Sequence, residues 1–252
     1  MRESVKGIIH VHSEFSRDGL CSIADLTQFA RGMGFQFVCL TDHAEDLTLG
    51  DRKELRIECE KHSDESCVMI AGLEFRCHGD IHILGLGITD DIPGDDGVVV
   101  ATEIREMGGL AILAHPGRNG YQCPTDLFAV LDGIEIWNAA YDGRFVPPLA
   151  SLRLLRAARD VNPSVFGFGG ADLHGLHRPP GVGLELPMNG RPSVHATLIL
   201  DALQAGTFSI FGKYLSFGAN AGPHGLARIP LWTFRKVYEF SKAVRDAALG
   251  IT

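Results

Sequence analysis

Two periodicities alternate along the chain. Residues 7–11 are apolar and β-branched and predict a strand. Residues 22–32 then carry Ile23, Leu26, Phe29 and Ala30 at helical spacing, with Ser22 placed as N-cap and Asp25 three residues further on. Gly32 and Gly34 end that helix. Residues 35–41 predict the second strand, and the charged stretch 51–62, with Leu55 and Ile57 as its few apolar residues, predicts an exposed helix. A third strand follows at 68–75, a further extended run at 81–88, and an acidic, Gly-rich loop at 90–97. The pattern then gives a helix over 98–107, strands at 110–114 and 133–137, an amphipathic helix at 148–159 and a strand at 165–171. Two Gly/Pro-rich stretches, 179–183 and 218–225, read as loops. Residues 232–249 predict a terminal helix with Phe234, Val237, Phe240 and Val244 on one face.

Strands alternating with helices imply a parallel sheet with both faces covered. At least six such strands within about 170 residues suit a closed or nearly closed barrel better than a small open sheet. No repeat, low-complexity stretch or linker interrupts the chain, so residues 1–252 are expected to form one domain. The segment 191–252 would complete the barrel wall or cover its rim.

Composition narrows the class. A hydrophobic content of 45% and a charged content of 21% are ordinary for a globular protein. The net charge of −8, without a basic run, argues against a long nucleic-acid track but leaves room for a small nucleotide. The six cysteines form no C-x-x-C pair, and most sit in apolar surroundings, as reduced thiols do. There is no signal-peptide core after Met1, and no apolar run approaches the ~20 residues that span a bilayer. A cytoplasmic protein is expected. Oligomeric state is not legible.

The chemistry lies where the strands end. The first ends in His10-Val11-His12-Ser13, with Asp18-Gly19 in the following loop. In a strand, residues i and i+2 share a face, so His10 and His12 would present two imidazoles side by side, a natural pair of ligands for one divalent metal. The second strand ends in Thr41-Asp42-His43 and the third in Gly72-Leu73-Glu74. The extended run begins with Asp80-Ile81-His82, and later strands end in Ala114-His115-Pro116 and Asp172-Leu173-His174. In parallel barrels the C-terminal rim is where sites are built, because the strand-to-helix loops converge there. A random scatter of histidines would not keep this phase. Glu74 resists a purely structural explanation, since an unpaired carboxylate after an apolar strand is costly.

These motifs, in this order, resemble the PHP family, named for polymerase and histidinol phosphatase. The resemblance rests on H-V-H-S at 10–13, D-G at 18–19, T-D-H at 41–43, G-L-E at 72–74, H-I-L-G at 82–85, A-H-P at 114–116 and D-L-H at 172–174. It implies a distorted (β/α)7 barrel with a centre of two or three divalent metals at the C-terminal rim. By resemblance, His10, His12, Glu74 and Asp172 would hold the first metal. Glu74 would bridge to a second, also held by His82 and His115, and Asp18, His43 and His174 would hold a third. Some family members have a histidine at the position of Asp18, and an oxygen ligand there leans toward manganese or iron over zinc. The implied reaction is hydrolysis of a phosphoester by a metal-bridging hydroxide, with His10, His12, Glu74 and Asp172 at its centre and phosphate as product or ligand.

Other residues near the motifs are candidates for the substrate. Arg118, three residues after His115, is placed to reach a phosphoryl oxygen, with Arg17 and Arg178 as further candidates. His177 reads as a loop residue, and His62, His78, His195 and His224 have no supporting motif. Glu135 and Asn138, at the end of the strand at 133–137, are candidate partners of ligands. A small phosphomonoester or nucleotide-sized diester fits the acidic chain best. Two rivals keep the same centre: an amidohydrolase-type C–N hydrolase, and a non-catalytic metal-binding subunit.

Overall fold

The computed structural model describes residues 3–143, 145–190 and 193–220. Strand β1 (Ser4–Val11) is buried without interruption from Gly7 onward. Helix α1 (Ile23–Gly32) begins in a capping box. The Ser22 hydroxyl accepts from the Asp25 amide at 3.1 Å, and the Asp25 carboxylate accepts from the Ser22 amide at 3.3 Å. Strands β2 (Phe37–Leu40) and β3 (Asp42–His43) are one path broken at Thr41, and β4 (Val68–Ile70) and β5 (Gly72–Cys77) are another, broken at Ala71. Between them α2 (Leu49–His62) starts two residues before the expected 51. Thr48 and Asp51 form a second capping box there, which makes Asp51 the third helical residue rather than the first. Strand β6 (Ile81–Leu86), helix α3 (Gly97–Glu106), strands β7 (Leu110–Leu113) and β8 (Gly133–Asn138), helix α4 (Leu149–Val161) and strand β9 (Phe166–Gly170) follow.

The class is mixed α/β with parallel strands, as the alternation implies, but two features depart from it. Strand β6 runs antiparallel to both β5 and β7. Only residues 78–80 join β5 to β6, with Gly79 at φ 75° and Asp80 at φ 57°. That link is far too short for the dozen or more residues of a parallel crossover. The stretch 179–183 is not loop throughout. Val182 opens strand β10 (Val182–Pro187), antiparallel to β1, with Val182, Leu184 and Leu186 buried in alternation. Gly183 permits the pairing, because a Cβ there would lie 2.7 Å from the Gly7 carbonyl oxygen. Helix α5 (Ala196–Gln204) and strands β11 (Ser209–Gly212) and β12 (Ser216–Gly218) come next. The expected terminal helix at 232–249 lies outside the described residues.

The ladders form two six-stranded sheets, in the orders β12-β11-β10-β1-β2-β4 and β3-β5-β6-β7-β8-β9. Two connections join them. The β2–β3 and β4–β5 paths pass from the first sheet into the second. On the other side the chain after β9 returns to β1, where Ala171 N donates to Ile9 O at 3.0 Å, Leu173 N to His10 O at 3.2 Å, and His12 N to Leu173 O at 2.9 Å. The ends of β1 and β3, the middle of β5, the start of β6 and the segment just after β9 thereby face one region.

Trp137 ties the two sheets together. Its ring is fully buried, meets Phe217 of β12 edge-on with centroids 6.0 Å apart, and donates from Nε1 to the Gly143 carbonyl at 2.7 Å. Removing a buried indole costs the transfer free energy plus a cavity, about 3–5 kcal/mol. Trp137→Ala is expected to lower unfolding stability by that amount, read from urea titration followed by far-ultraviolet circular dichroism.

Candidate metal centre

The first two histidines do not reach the site by plain strand alternation. The β1–β2 register slips between Ile9 and Val11, and His10 sits in this irregularity at φ 61°. His115 (φ 23°) and Asp172 (φ 49°) also occupy the left-handed region that non-glycine residues rarely adopt. Such strain concentrates where side chains must be aimed, and the surrounding contacts must hold it. His82 arrives from the opposite direction. Because β6 is antiparallel, its N-terminal end lies at the rim where its neighbours end, which is why the motif opens the strand instead of closing it.

Glu74 is the hub. Its side chain is 1% exposed. Its Oε1 lies 2.7 Å from His82 Nδ1 and 3.0 Å from His115 Nε2. Its Oε2 lies 3.4 Å from His10 Nε2, 3.4 Å from His12 Nε2 and 3.3 Å from His43 Nδ1. Asp172 Oδ1 faces His10 Nε2 at 3.5 Å, His12 Nε2 at 3.8 Å and His174 Nδ1 at 3.6 Å. Asp18 Oδ2 bridges His43 Nε2 at 3.4 Å and His174 Nε2 at 3.3 Å. The structure thus brings together all nine residues singled out as ligands. They fall into overlapping sets whose donor atoms lie within 4.8 Å of one another: His10, His12 and Glu74; His10, His115 and Asp172; Glu74, His82 and His115; and His12, Asp18, His43 and His174.

The donor set fits divalent metal. Among the described residues, four buried ring nitrogens, His10 Nε2, His12 Nε2, His43 Nδ1 and His82 Nε2, have no hydrogen-bond partner. A buried polar atom left unpaired costs about 1–3 kcal/mol, so four together around carboxylates call for an occupant. Imidazole and carboxylate suit zinc, iron and manganese.

Protons compete for the same atoms. Burial opposes a charge on His10, but the carboxylates of Glu135, Asp172 and Glu74 outweigh it and hold its pKa well above the ordinary value. His12 goes the other way. Burial, with the imidazoles of His10, His174 and His43, overrides the pull of Glu74 and holds its pKa well below. Glu74 stays well below the usual carboxylate range, because His10 and the hydrogen bonds from its imidazole neighbours outweigh burial.

Two buried carboxylates support the ligands from behind. Glu135 Oε1 accepts from His10 Nδ1 at 2.8 Å, and its Oε2 accepts from the His115 amide at 2.7 Å and Asn138 Nδ2 at 2.9 Å. Asp42 accepts four hydrogen bonds, from the amides and hydroxyls of Ser13 and Ser16 at 2.7–3.1 Å. The Ser16 hydroxyl in turn accepts from the His43 amide at 2.8 Å and lies 3.4 Å from His12 Nδ1. Sequence reasoning passed over Asp42 and Ser16. The signal was a buried aspartate inside T-D-H with two serines in the loop that packs against it.

The candidate arginines separate. Arg118 forks onto Asp80, Nε at 2.9 Å and a terminal nitrogen at 3.3 Å, and Asp80 lies 3.6 Å from His82 Nε2. Arg178 and His177 line a cleft of about 280 Å³ together with Asp172 and His174. Arg17 is exposed, and its amide donates to Asp46. Of the remaining histidines, His195 caps α5 and His62 pairs with Glu58 on α2.

Residues 9–122 match the family model of the PHP domain. The matched segment runs from the first histidine pair to just beyond His115, so Asp172 and His174 lie outside it and are brought beside it by the fold. No curated protein matches the sequence. Solved structures resemble it in fold. One is a two-domain protein from Bacteroides vulgatus containing a predicted PHP-like metal-dependent phosphoesterase, with 21% identity, a TM-score of 0.64, and coverage of 85% of this chain and 66% of that one. The chain therefore spans just under two thirds of that relative's length. Another is an amidohydrolase from Chromobacterium violaceum with bound sulfate and no metal (16% identity, TM-score 0.54, 82% of this chain and 97% of that one). A third is endonuclease Q in complex with a 27-mer duplex carrying an abasic lesion (17% identity, TM-score 0.54, 80% of this chain and 56% of that one). At these identities the likeness is one of fold. Among the described residues no helix is long and apolar enough to cross a membrane.

Two expectations follow for the protein itself. Asp42→Ala leaves three buried donors, the Ser13 amide and the Ser13 and Ser16 hydroxyls, without their acceptor, and a loss of at least about 3 kcal/mol is expected in denaturant titration; Asp42→Asn, which keeps one oxygen, should lose less. In chelated, metal-free protein the three ligand candidates with shifted pKa each contribute to the pH dependence. His10, raised, contributes stability that is complete below 6.5 and fades as pH climbs through its folded value; His12, lowered, costs stability as pH falls below 6.5; Glu74, lowered, adds a loss below 4.5. Urea midpoints measured across pH should pass through a maximum near 6.5, and a monotonic profile would contradict this electrostatic account.

Proposed function

We propose that the protein is a metal-dependent phosphoesterase that hydrolyses a small phosphomonoester or a nucleotide-sized diester. The observation that carries this reading is the Glu74 carboxylate among five imidazoles, with four ring nitrogens buried and unpartnered. The PHP match over 9–122 and the fold shared with a PHP-like phosphoesterase support it.

In this reading His10, His12, Glu74 and Asp172 hold a first divalent metal, and Glu74, His82 and His115 a second. Asp18, His43 and His174 hold a third, with His12 within reach of it. Manganese, iron and zinc all suit these donors. When bound, such metals lower the pKa of water, polarise a phosphoryl oxygen and stabilise the leaving oxygen. The chain's own part is to present those donors without rearrangement. Glu74, kept ionised by its imidazole neighbours, offers both oxygens at once. His10 must release a proton before its Nε2 lone pair is free, so loading the site expels protons. Arg178 lines the cleft beside Asp172 and His174 and supplies a cation for a phosphate entering there. Arg118 approaches the centre beside His82, through Asp80. The wider expectations belong to the same proposal: one functional unit over 1–252, a cytoplasmic setting, and a small phosphorylated substrate in place of long nucleic acid.

The fold shared with an amidohydrolase keeps C–N hydrolysis as the rival. Elemental mass spectrometry on protein purified without chelator or added metal is expected to give two to three equivalents of Mn, Fe or Zn per chain. A substrate panel should then show turnover of phosphomonoesters or small diesters and none of lactams and amides; the reverse outcome assigns the rival. His10→Ala and Asp172→Ala should each lower kcat/KM by about 10³-fold or more, because several kcal/mol of transition-state stabilisation go with the metals. Variants that lose metal yet keep full hydrolysis would sink the mechanism.

A further inference from the structure

Glu135 lies behind the centre and takes no place in the four donor sets. It is fully buried, a position that a carboxylate occupies only when its oxygens are engaged. Two of its three acceptor bonds reach other elements, and the third comes from Asn138 on its own strand. Oε1 holds the Nδ1 side of the His10 ring, and Oε2 holds the His115 amide at the point where the backbone turns through φ 23°. Asn138 Nδ2 takes a further position on Oε2. The approach is built into the neighbouring strand: a Cβ at Gly170 would overlap the Glu135 carboxylate.

We propose that Glu135 is a positioning residue that couples the two metal positions served by His10 and His115, so that these fill together while the position of Asp18, His43 and His174 fills independently. This rests on the metal-centre reading above. The chemistry is specific to a carboxylate. By accepting from Nδ1–H, Glu135 directs the His10 lone pair at Nε2 toward Glu74 and Asp172. The same group fixes the start of the turn that carries the His115 ring. An amide cannot replace it. Glutamine has one oxygen and one NH2 group, so its NH2 would face either the His10 Nδ1–H or the donors of His115 and Asn138. In the first case the imidazole must move its proton to Nε2 and lose the lone pair that faces the cluster. In the second, donor meets donor where His115 is aimed.

The test is metal uptake by the full-length chain, which needs no substrate. Chelated protein is titrated with Zn(II) alone against a competing chelator, and bound metal is counted by elemental mass spectrometry. In the wild type, the tight sites are expected to fill as a group. Glu135→Gln should weaken two of the equivalents together by 10–100-fold, the usual effect of losing a residue that orients a ligand. The remaining equivalent should stay unchanged, and the near-ultraviolet circular dichroism of the protein should be preserved. A general loss of packing would instead weaken all sites alike. Glu135→Asp keeps the charge but shortens the reach by one methylene, and its affinity should fall between the two. A folded Glu135→Gln variant that binds every equivalent as tightly as wild type overturns the proposal, as does loss spread evenly over all sites. If Glu135→Gln fails to fold, a folded Glu135→Asp variant with unchanged affinity overturns it equally. A wild type that takes up no Zn(II) removes the metal-centre reading itself and this coupling with it, an outcome distinct from a normal wild type with an indifferent variant.

Discussion

One carboxylate shared among five imidazoles is the constraint on which the structure depends. Glu74 is nearly solvent-free, and its two oxygens are divided: Oε1 toward His82 and His115, Oε2 toward His10, His12 and His43. An ionised carboxylate is kept in such a place only by compensating charge and hydrogen bonds. The imidazoles that compensate it come from β1, β3, β6 and the turn after β7. Strand order and direction are therefore tied to one side chain. The antiparallel β6 is part of the same arrangement, since it lets the start of a strand stand beside the ends of its neighbours.

The cost appears in the backbone. His10, His115 and Asp172 each hold a positive φ, and each is fixed by bonds from outside its own segment. Glu135 holds both His10 and His115. Main-chain bonds between 9–12 and 171–173 hold Asp172 against β1. On the other side Asp42 gathers the loop of Ser13 and Ser16, so that the His12 ring and the His43 amide meet one hydroxyl. The loop after β1, which carries Asp18, is thus pinned through its first residues. Rigid support of this kind is what a metal site requires, because donors misplaced by even ~0.5 Å lose the intended geometry.

Much of the site was legible because metal ligands are His, Asp or Glu and most of these candidates stand at or just beyond strand ends, although Glu74, expected to close its strand, lies inside β5. The capping boxes at Ser22 and Thr48 are local, and the first could be read directly. What escaped was non-local. Strand β10 was hidden because Gly181, Gly183 and the two prolines before them carry a loop signature, whereas the missing Cβ of Gly183 is what lets it approach the Gly7 carbonyl of β1. The direction of β6 depended on counting the three residues that join it to β5, and not on periodicity. The bulge at His10 could not be inferred, since alternation alone already set both histidines on one face. Asp42 was quoted in a motif, yet its work is done by two serines whose partner is visible only after folding.

The nine ligand candidates are not equally enclosed, and the gradient has a chemical sense. The side chains of His10 and His12 are wholly buried and Glu74 nearly so, whereas Asp18 is 49% exposed and His174 33%. The enclosed half holds the strained backbone and the unpartnered nitrogens, and its charges are poorly screened, so its geometry is set by the fold. At the open half, Asp18 and His174 can exchange with solvent at little cost. The cleft lined by His174, His177 and Arg178 begins at this open half. Asp172 and His174 both line it, whereas the Glu74 hub is 1% exposed. The division separates donors that the fold holds fixed from donors that stand open to solvent.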